Sequence, residues 1–268
     1  MFLSLEWYQW MTAALSALLI GLTKAGFGSG AGILAVPLMA LALGADAMLP
    51  VLLPVLVCGD VFSIARHPGK ADRRNLRLLI PGCAAGVVIG WVILNWLQQK
   101  TRAASAGGTD TAVESLLNPL VGGLCIGFVC VQVWRYFRES RLLERPTPYR
   151  PKIRHGLLLG TIAGITSTLS HAAGPLIALF LLPQKLDKRV FVGTSVTYFL
   201  FGNLIKFVPY SFQGMFSAKV LATSGVLLPA VVAGTFAGAY LNRKIHKQTF
   251  VLVIYAVTFA TGLKLLFG

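Results

Sequence analysis

The sequence predicts an all-α polytopic membrane protein built as two inverted five-segment repeats, about ten transmembrane or re-entrant helical segments in all. Three observations carry that prediction. Of 268 residues, 56% are hydrophobic and only 12% charged, against roughly a quarter charged in a soluble domain. The basic excess, 24 Lys and Arg against 9 Asp and Glu for a net charge of +15, lies in short gaps between apolar runs. Glycine and proline landmarks recur in the same order in the two halves. A soluble polyanion-binding protein would gather its basic charge on one face of a fold, so no nucleic-acid partner is expected. With roughly 20 residues needed per crossing, no soluble catalytic domain fits beside the spans.

Taken in order, the first segment, 8–24, opens beside Glu6, Trp7, Tyr8 and Trp10, aromatics suited to a membrane interface rather than a cleaved leader, and closes at Lys24. The second, 30–43, is short and glycine-interrupted. The third, 47–65, holds Asp60, and the fourth, 76–97, carries Gly86 and Gly90 four residues apart, a spacing that lets helices approach closely. The fifth, 116–137, leads into a basic linker, 138–152, punctuated by Pro146, Pro148 and Pro151. A second set follows: 153–170 with Gly156, Gly160 and Gly164 in one row, a short 172–182, then 190–208, 218–241 with Gly234 and Gly238, and 249–267. The chain thus divides into a first repeat, 1–137, the linker, and a second repeat, 153–268. Short, interrupted segments at matching places in two halves point to discontinuous helices and a transport site.

The halves superpose in three blocks. Ala25-Gly26 and Pro37-Leu38 match Ala163-Gly164 and Pro175-Leu176 at an offset of 138, Gly59-Asp60 matches Gly202-Asn203 at 143, and Pro81, Gly86 and Gly90 match Pro229, Gly234 and Gly238 at 148. Orientation follows from the basic residues, because Lys and Arg mark cytoplasmic loops. Of the 24, 18 fall in 66–77, 135–154, 185–189 and 243–247, whereas the 209–217 loop has none. Equivalent loops 66–77 and 209–217 therefore belong on opposite faces. An odd number of crossings per repeat gives that inversion, and places both termini on the outer face of a bacterial-type inner membrane.

Two segments carry the chemistry. In Gly21-Leu-Thr-Lys-Ala-Gly-Phe-Gly-Ser-Gly-Ala-Gly-Ile-Leu-Ala-Val-Pro37 the glycines resist a regular helix at about 1 kcal/mol each. Unwound backbone survives at membrane depth only where protein or a cavity surrounds it. Freed N–H groups around Gly28, Ser29, Gly30 and Gly32, with the positive end of a helix behind them and Lys24 alongside, make an anion site; the competing reading is that Lys24 ends a span and snorkels. In Gly164-Ile-Thr-Ser-Thr-Leu-Ser-His-Ala-Ala-Gly-Pro175, hydroxyls and an imidazole stand where apolar residues are expected. Thr166, Ser167, Thr168, Ser170 and His171 can donate to an oxyanion, and Gly174-Pro175 opens a second helix N-terminus. Back-bonding to their own helix is the alternative use of the hydroxyls. Asp60, its repeat partner Asn203, and Lys206 one turn further on are candidates for coupling or for an ion pair. His171 is the one histidine expected inside a span. The four cysteines lack metal-site spacing and read as buried thiols, so neither metal nor cofactor is expected. Ser167 and His171 lack the acidic orienter of a hydrolase, and no enzyme activity is expected.

The two glycine- and hydroxyl-rich motifs, with the duplicated ten-segment layout, resemble the TauE/SafE family of sulfite and organosulfonate exporters over nearly the whole chain. The resemblance implies an inner-membrane permease for small anions, with Lys24 to Gly32 and Thr166 to Pro175 as the central site. Related thiosulfate carriers use membrane cysteines, and none of the four here lies in the motifs. The expected activity is export of a small sulfur oxyanion, with sulfite the leading substrate, by alternating access; a passive anion channel, or an uptake permease for a sulfonate or carboxylate, is the alternative. Membrane lipids are the expected surroundings, and the chain is a monomer or homodimer.

Overall fold

A computed structural model describes residues 5–27, 35–66, 69–104, 151–171, 173–181, 184 and 186–241, with isolated positions at 123, 126, 127, 130, 134, 259 and 263. Every element formed by the described residues is an α-helix: α1 (Trp7–Phe27), α2 (Ala35–Leu43), α3 (Ala45–Arg66), α4 (Arg73–Ala104), α5 (Ile153–Ser170), α6 (Gly174–Leu181), α7 (Lys188–Phe212) and α8 (Ala218–Leu241). Four of them, α3, α4, α7 and α8, are long and apolar enough to cross a membrane. Apart from those isolated positions, segments 116–137 and 249–267 lie outside the described residues, as do the linker 138–152 up to residue 150 and the glycine run 28–34.

The helices begin and end where their residues require. Asp72 caps α4, accepting the backbone N–H of Arg74 at 2.8 Å. Asp187 does the same for α7 through Arg189 at 2.9 Å, and Ser217 for α8 through Val220 at 3.2 Å. The break between α2 and α3 is a single Gly44 with φ of 79°, a left-handed conformation that glycine adopts without penalty. At the end of α5 that conformation falls on His171, φ 52°, whose N–H returns to the Ser167 carbonyl at 3.0 Å. His171 is therefore not inside a span as expected. It is the residue that terminates α5, in the interruption ahead of the eight-residue α6.

Two helix pairs form the closest contacts, α1 with α8 and α4 with α5. Both are made by glycine. A methyl group at Gly86 would collide with the carbonyl of Thr161, and one at Gly164 with the carbonyl of Cys83; a methyl at Gly234 would strike the carbonyl of Leu18, and one at Gly21 that of Val231. α3 and α7 lie between these pairs, touching each other, α3 also against α8 and α7 against α4. One apolar cluster, including Ile20, Met39, Leu52, Leu94 and Val231, fills the space around α1, α2, α3 and α8; another, including Leu79, Val87, Ala163, Ile177 and Tyr198, fills that around α4 to α7. Outward, the helices present Val88, Val92, Leu158, Phe212 and Phe236, each more than half exposed, an apolar belt too broad for water and suited to lipid.

Candidate functional site

Between the two clusters lies a band of polar groups. It is built from one face of α3 and one face of α7, because residues three, four or seven apart share a helix face. On α3 these are Leu49, Leu56 and Asp60; on α7, Asn203, Lys206 and Tyr210. α1 adds Lys24, and α5 adds Ser167, Thr168 and its terminal His171.

Lys24 does not reach a membrane surface. Its ammonium is buried, donating to Asp60 Oδ1 at 2.6 Å and to the Leu56 carbonyl at 2.9 Å, with the Phe199 ring centroid 5.9 Å away. Asp60, wholly buried, accepts at its other oxygen from Asn203 Nδ2 at 2.8 Å. The positions on α3 and α7 that the sequence matches at an offset of 143 thus meet each other, a carboxylate against an amide, and the charge of Lys24 is cancelled within the chain.

Lys206 is the opposite case. It is also wholly buried, and its ammonium donates to Ser167 Oγ at 2.9 Å and Ser167 O at 3.2 Å, with His171 Nδ1 at 2.8 Å. Three donors meet three acceptors, so its hydrogen bonding is complete. Its charge is not, because among the described residues no carboxylate pairs with it. The imidazole is fixed from both sides. An ammonium only donates and a carbonyl only accepts; with an ionised Lys206 at Nδ1 and the Leu49 carbonyl 3.0 Å from Nε2, the ring has to be neutral with its proton on Nε2. With Lys24, Asp60 and Lys206 all ionised, the band carries one net positive charge.

Of the expected donors, Thr166 and Ser170 return to the carbonyls of Ile162 at 3.0 Å and Thr166 at 3.0 Å, and Thr168 to Gly164 at 2.9 Å. These three hydroxyls serve their own helix. Ser167 differs: its oxygen accepts from Lys206, and its own proton has no acceptor among the described residues. Gly174 begins α6 three residues beyond His171. Gly28, Ser29, Gly30 and Gly32 fall outside the described residues. Tyr210, which the sequence reading passed over, donates to the Thr168 carbonyl at 2.7 Å and sets its ring against His171; its place one turn beyond Lys206 was the available signal. The carbonyls of Leu49 and Leu56 have no such signal, since any residue supplies one.

No curated protein and no solved structure matches the chain. A family does: the model of the sulfite exporter TauE/SafE family matches residues 13–265. With nearly its whole length inside that match and helices that suit a bilayer, this chain belongs to the TauE/SafE sulfite exporter family, a family of membrane transporters.

Proposed function

We propose that the protein exports a small sulfur oxyanion, sulfite or an organosulfonate, by alternating access, and that the anion is held at Lys206 between the two motif regions. The observation that carries this reading is a buried ammonium with complete hydrogen bonding and, among the described residues, no carboxylate in salt-bridge contact. An uncompensated charge at membrane depth costs several kcal/mol; an arriving anion removes that cost, whereas a neutral or cationic solute does not. Ser167 Oγ–H and the backbone at Gly174, the start of α6, supply the remaining donors. Lys24, already paired with Asp60, acts on the anion through structure more than charge. Asp60 and Asn203 tie α3 to α7, Lys206 ties α7 to the end of α5, and together they couple the two halves.

The inverted repeat, with ten segments in units 1–137 and 153–268, is supported by the packing. Exchanging α1 with α5 and α4 with α8 turns each close glycine pair into the other: Gly86 on Thr161 becomes Gly234 on Leu18, and Gly164 on Cys83 becomes Gly21 on Val231. This favours an offset of 143 for α1 and α5, the separation of Asp60 and Asn203, over the 138 read from Ala25-Gly26. Lys24 then corresponds to Ser167, and Lys206 to Ser63. The basic loops support an inner-membrane orientation with both termini outside.

Purified protein in proteoliposomes tests the reading. Saturable sulfite or methanesulfonate flux with counterflow is expected, reduced at least about tenfold in Lys206→Met, a loss of about 1.4 kcal/mol or more. Conductance that rises linearly with anion concentration would replace the carrier by a channel.

A further inference from the structure

We propose that this site sorts anions by charge: a monoanion binds as it is, and a dianion binds only together with one proton, taken up at Nδ1 of His171. The inference rests on the anion-site reading above and adds the stoichiometry. The band carries one net positive charge with a neutral imidazole, so one negative charge completes it. A second negative charge in the same interior needs a second positive one.

Among the described residues one place is left for it. The groups around Lys206 and His171 are Lys24 on α1, Cys58 and Asp60 on α3, Cys83 on α4, and Tyr198 and Tyr210 on α7; α2 and α6 contribute no titratable side chain. With both lysines ionised they have no vacant base, and thiols and phenols are neutral as acids. Asp60 is held at both oxygens, by Lys24 and by Asn203, and protonating it would break an ion pair. That leaves the lone pair at His171 Nδ1. It currently accepts from Lys206 at 2.8 Å.

Protonation there changes the geometry as well as the charge. With Nε2–H committed to the Leu49 carbonyl, the incoming proton makes Nδ1 a donor facing another donor. Lys206 and His171 then repel each other, and an oxyanion placed between them accepts from both. The proton comes from bulk acid, whose conjugate base stays in solution; no bond in the anion breaks. A monoanion needs no such change, because Lys206 alone balances it.

Isothermal titration of the purified full chain, in two buffers of different ionisation enthalpy, counts protons per bound anion. Methanesulfonate is the monoanionic probe and sulfate the dianionic one. The expected result is a count of zero for methanesulfonate with affinity flat across neutral to mildly alkaline pH. For sulfate the expected count is one, with affinity falling about tenfold per pH unit. In His171→Gln sulfate binding is lost. Equal counts for the two anions, sulfate that fails to bind at any pH while methanesulfonate binds, or a sulfate count of one persisting in His171→Gln overturns the inference. The wild-type counts decide on their own if the variant does not fold. If neither anion binds the wild type, the anion-site reading fails along with the inference.

Discussion

Asp60 accepts from Lys24 on one oxygen and from Asn203 on the other, so removing a single partner strands a charge. Lys24→Met is expected to cost about 3–5 kcal/mol, because the buried carboxylate loses its counter-ion. Lys24→Met combined with Asp60→Asn is expected to recover most of that loss, since both charges go together. Thermal unfolding in detergent checks the cycle, and simple additivity of the two single losses would count against a tight pair. Lys206→Met is expected to behave in the reverse way. It removes an uncompensated cation, so unfolding should stay within about 1 kcal/mol of the wild type or improve, while anion flux is lost. The sequence singled out Lys24, Asp60, Asn203, Ser167, His171 and Lys206 as intramembrane polar groups, but it left the pairing of the two lysines open. Helical spacing says which residues share a face; it does not say which neighbouring helix that face meets. Acceptors such as the Leu49 carbonyl carry no trace in the sequence at all.

At the scale of the elements, close approach of α4 to α5 and of α1 to α8 depends on missing side chains. Gly86→Ala and Gly234→Ala each set a methyl against backbone, and each is expected to lower stability by about 1–3 kcal/mol. Gly225 on α8 has nothing within 4 Å of the added carbon; Gly225→Ala is expected to be neutral or to gain up to about 1 kcal/mol through helix propensity. A shared loss at all three positions would show that propensity or insertion, not contact, is being measured. The limits of α5 and α8 agree with the apolar runs at 153–170 and 218–241. α4 runs well beyond 76–97, to Ala104, because Gln98, Gln99, Lys100 and Arg102 are good helix formers and backbone hydrogen bonding continues after hydropathy stops. The end of α5 at His171 was harder to read: a left-handed histidine leaves no compositional mark of the kind glycine leaves at Gly44.

For the whole molecule, the proposed inversion has a direct check in side-specific labelling. In a background without native cysteines, Arg73→Cys at the start of α4 and Lys219→Cys at the start of α8, both exposed, are expected to react with an impermeant maleimide from opposite sides of the membrane. Lys219→Cys should react in intact cells and Arg73→Cys only after permeabilisation. Reaction from one side would remove the inverted arrangement. Family membership and the helical membrane architecture were legible in the sequence because both rest on patterns along the chain, the glycine-rich motifs and the distribution of lysine and arginine. The centre of the molecule was not, because it is made where four helices cross. The unpaired Lys206 also has an electrical meaning. On the proposed reading the empty protein carries one more positive charge at mid-depth than the protein loaded with a monoanion, so the two conformational strokes feel the membrane voltage differently. An inside-negative potential, worth about 2.3 kcal/mol per elementary charge for each 100 mV, draws the vacant site toward the cytoplasm and leaves the neutral, loaded site to return unopposed. Voltage then drives the cycle outward on its own, and an imposed potassium diffusion potential that leaves methanesulfonate export unchanged would show that the charge does not move.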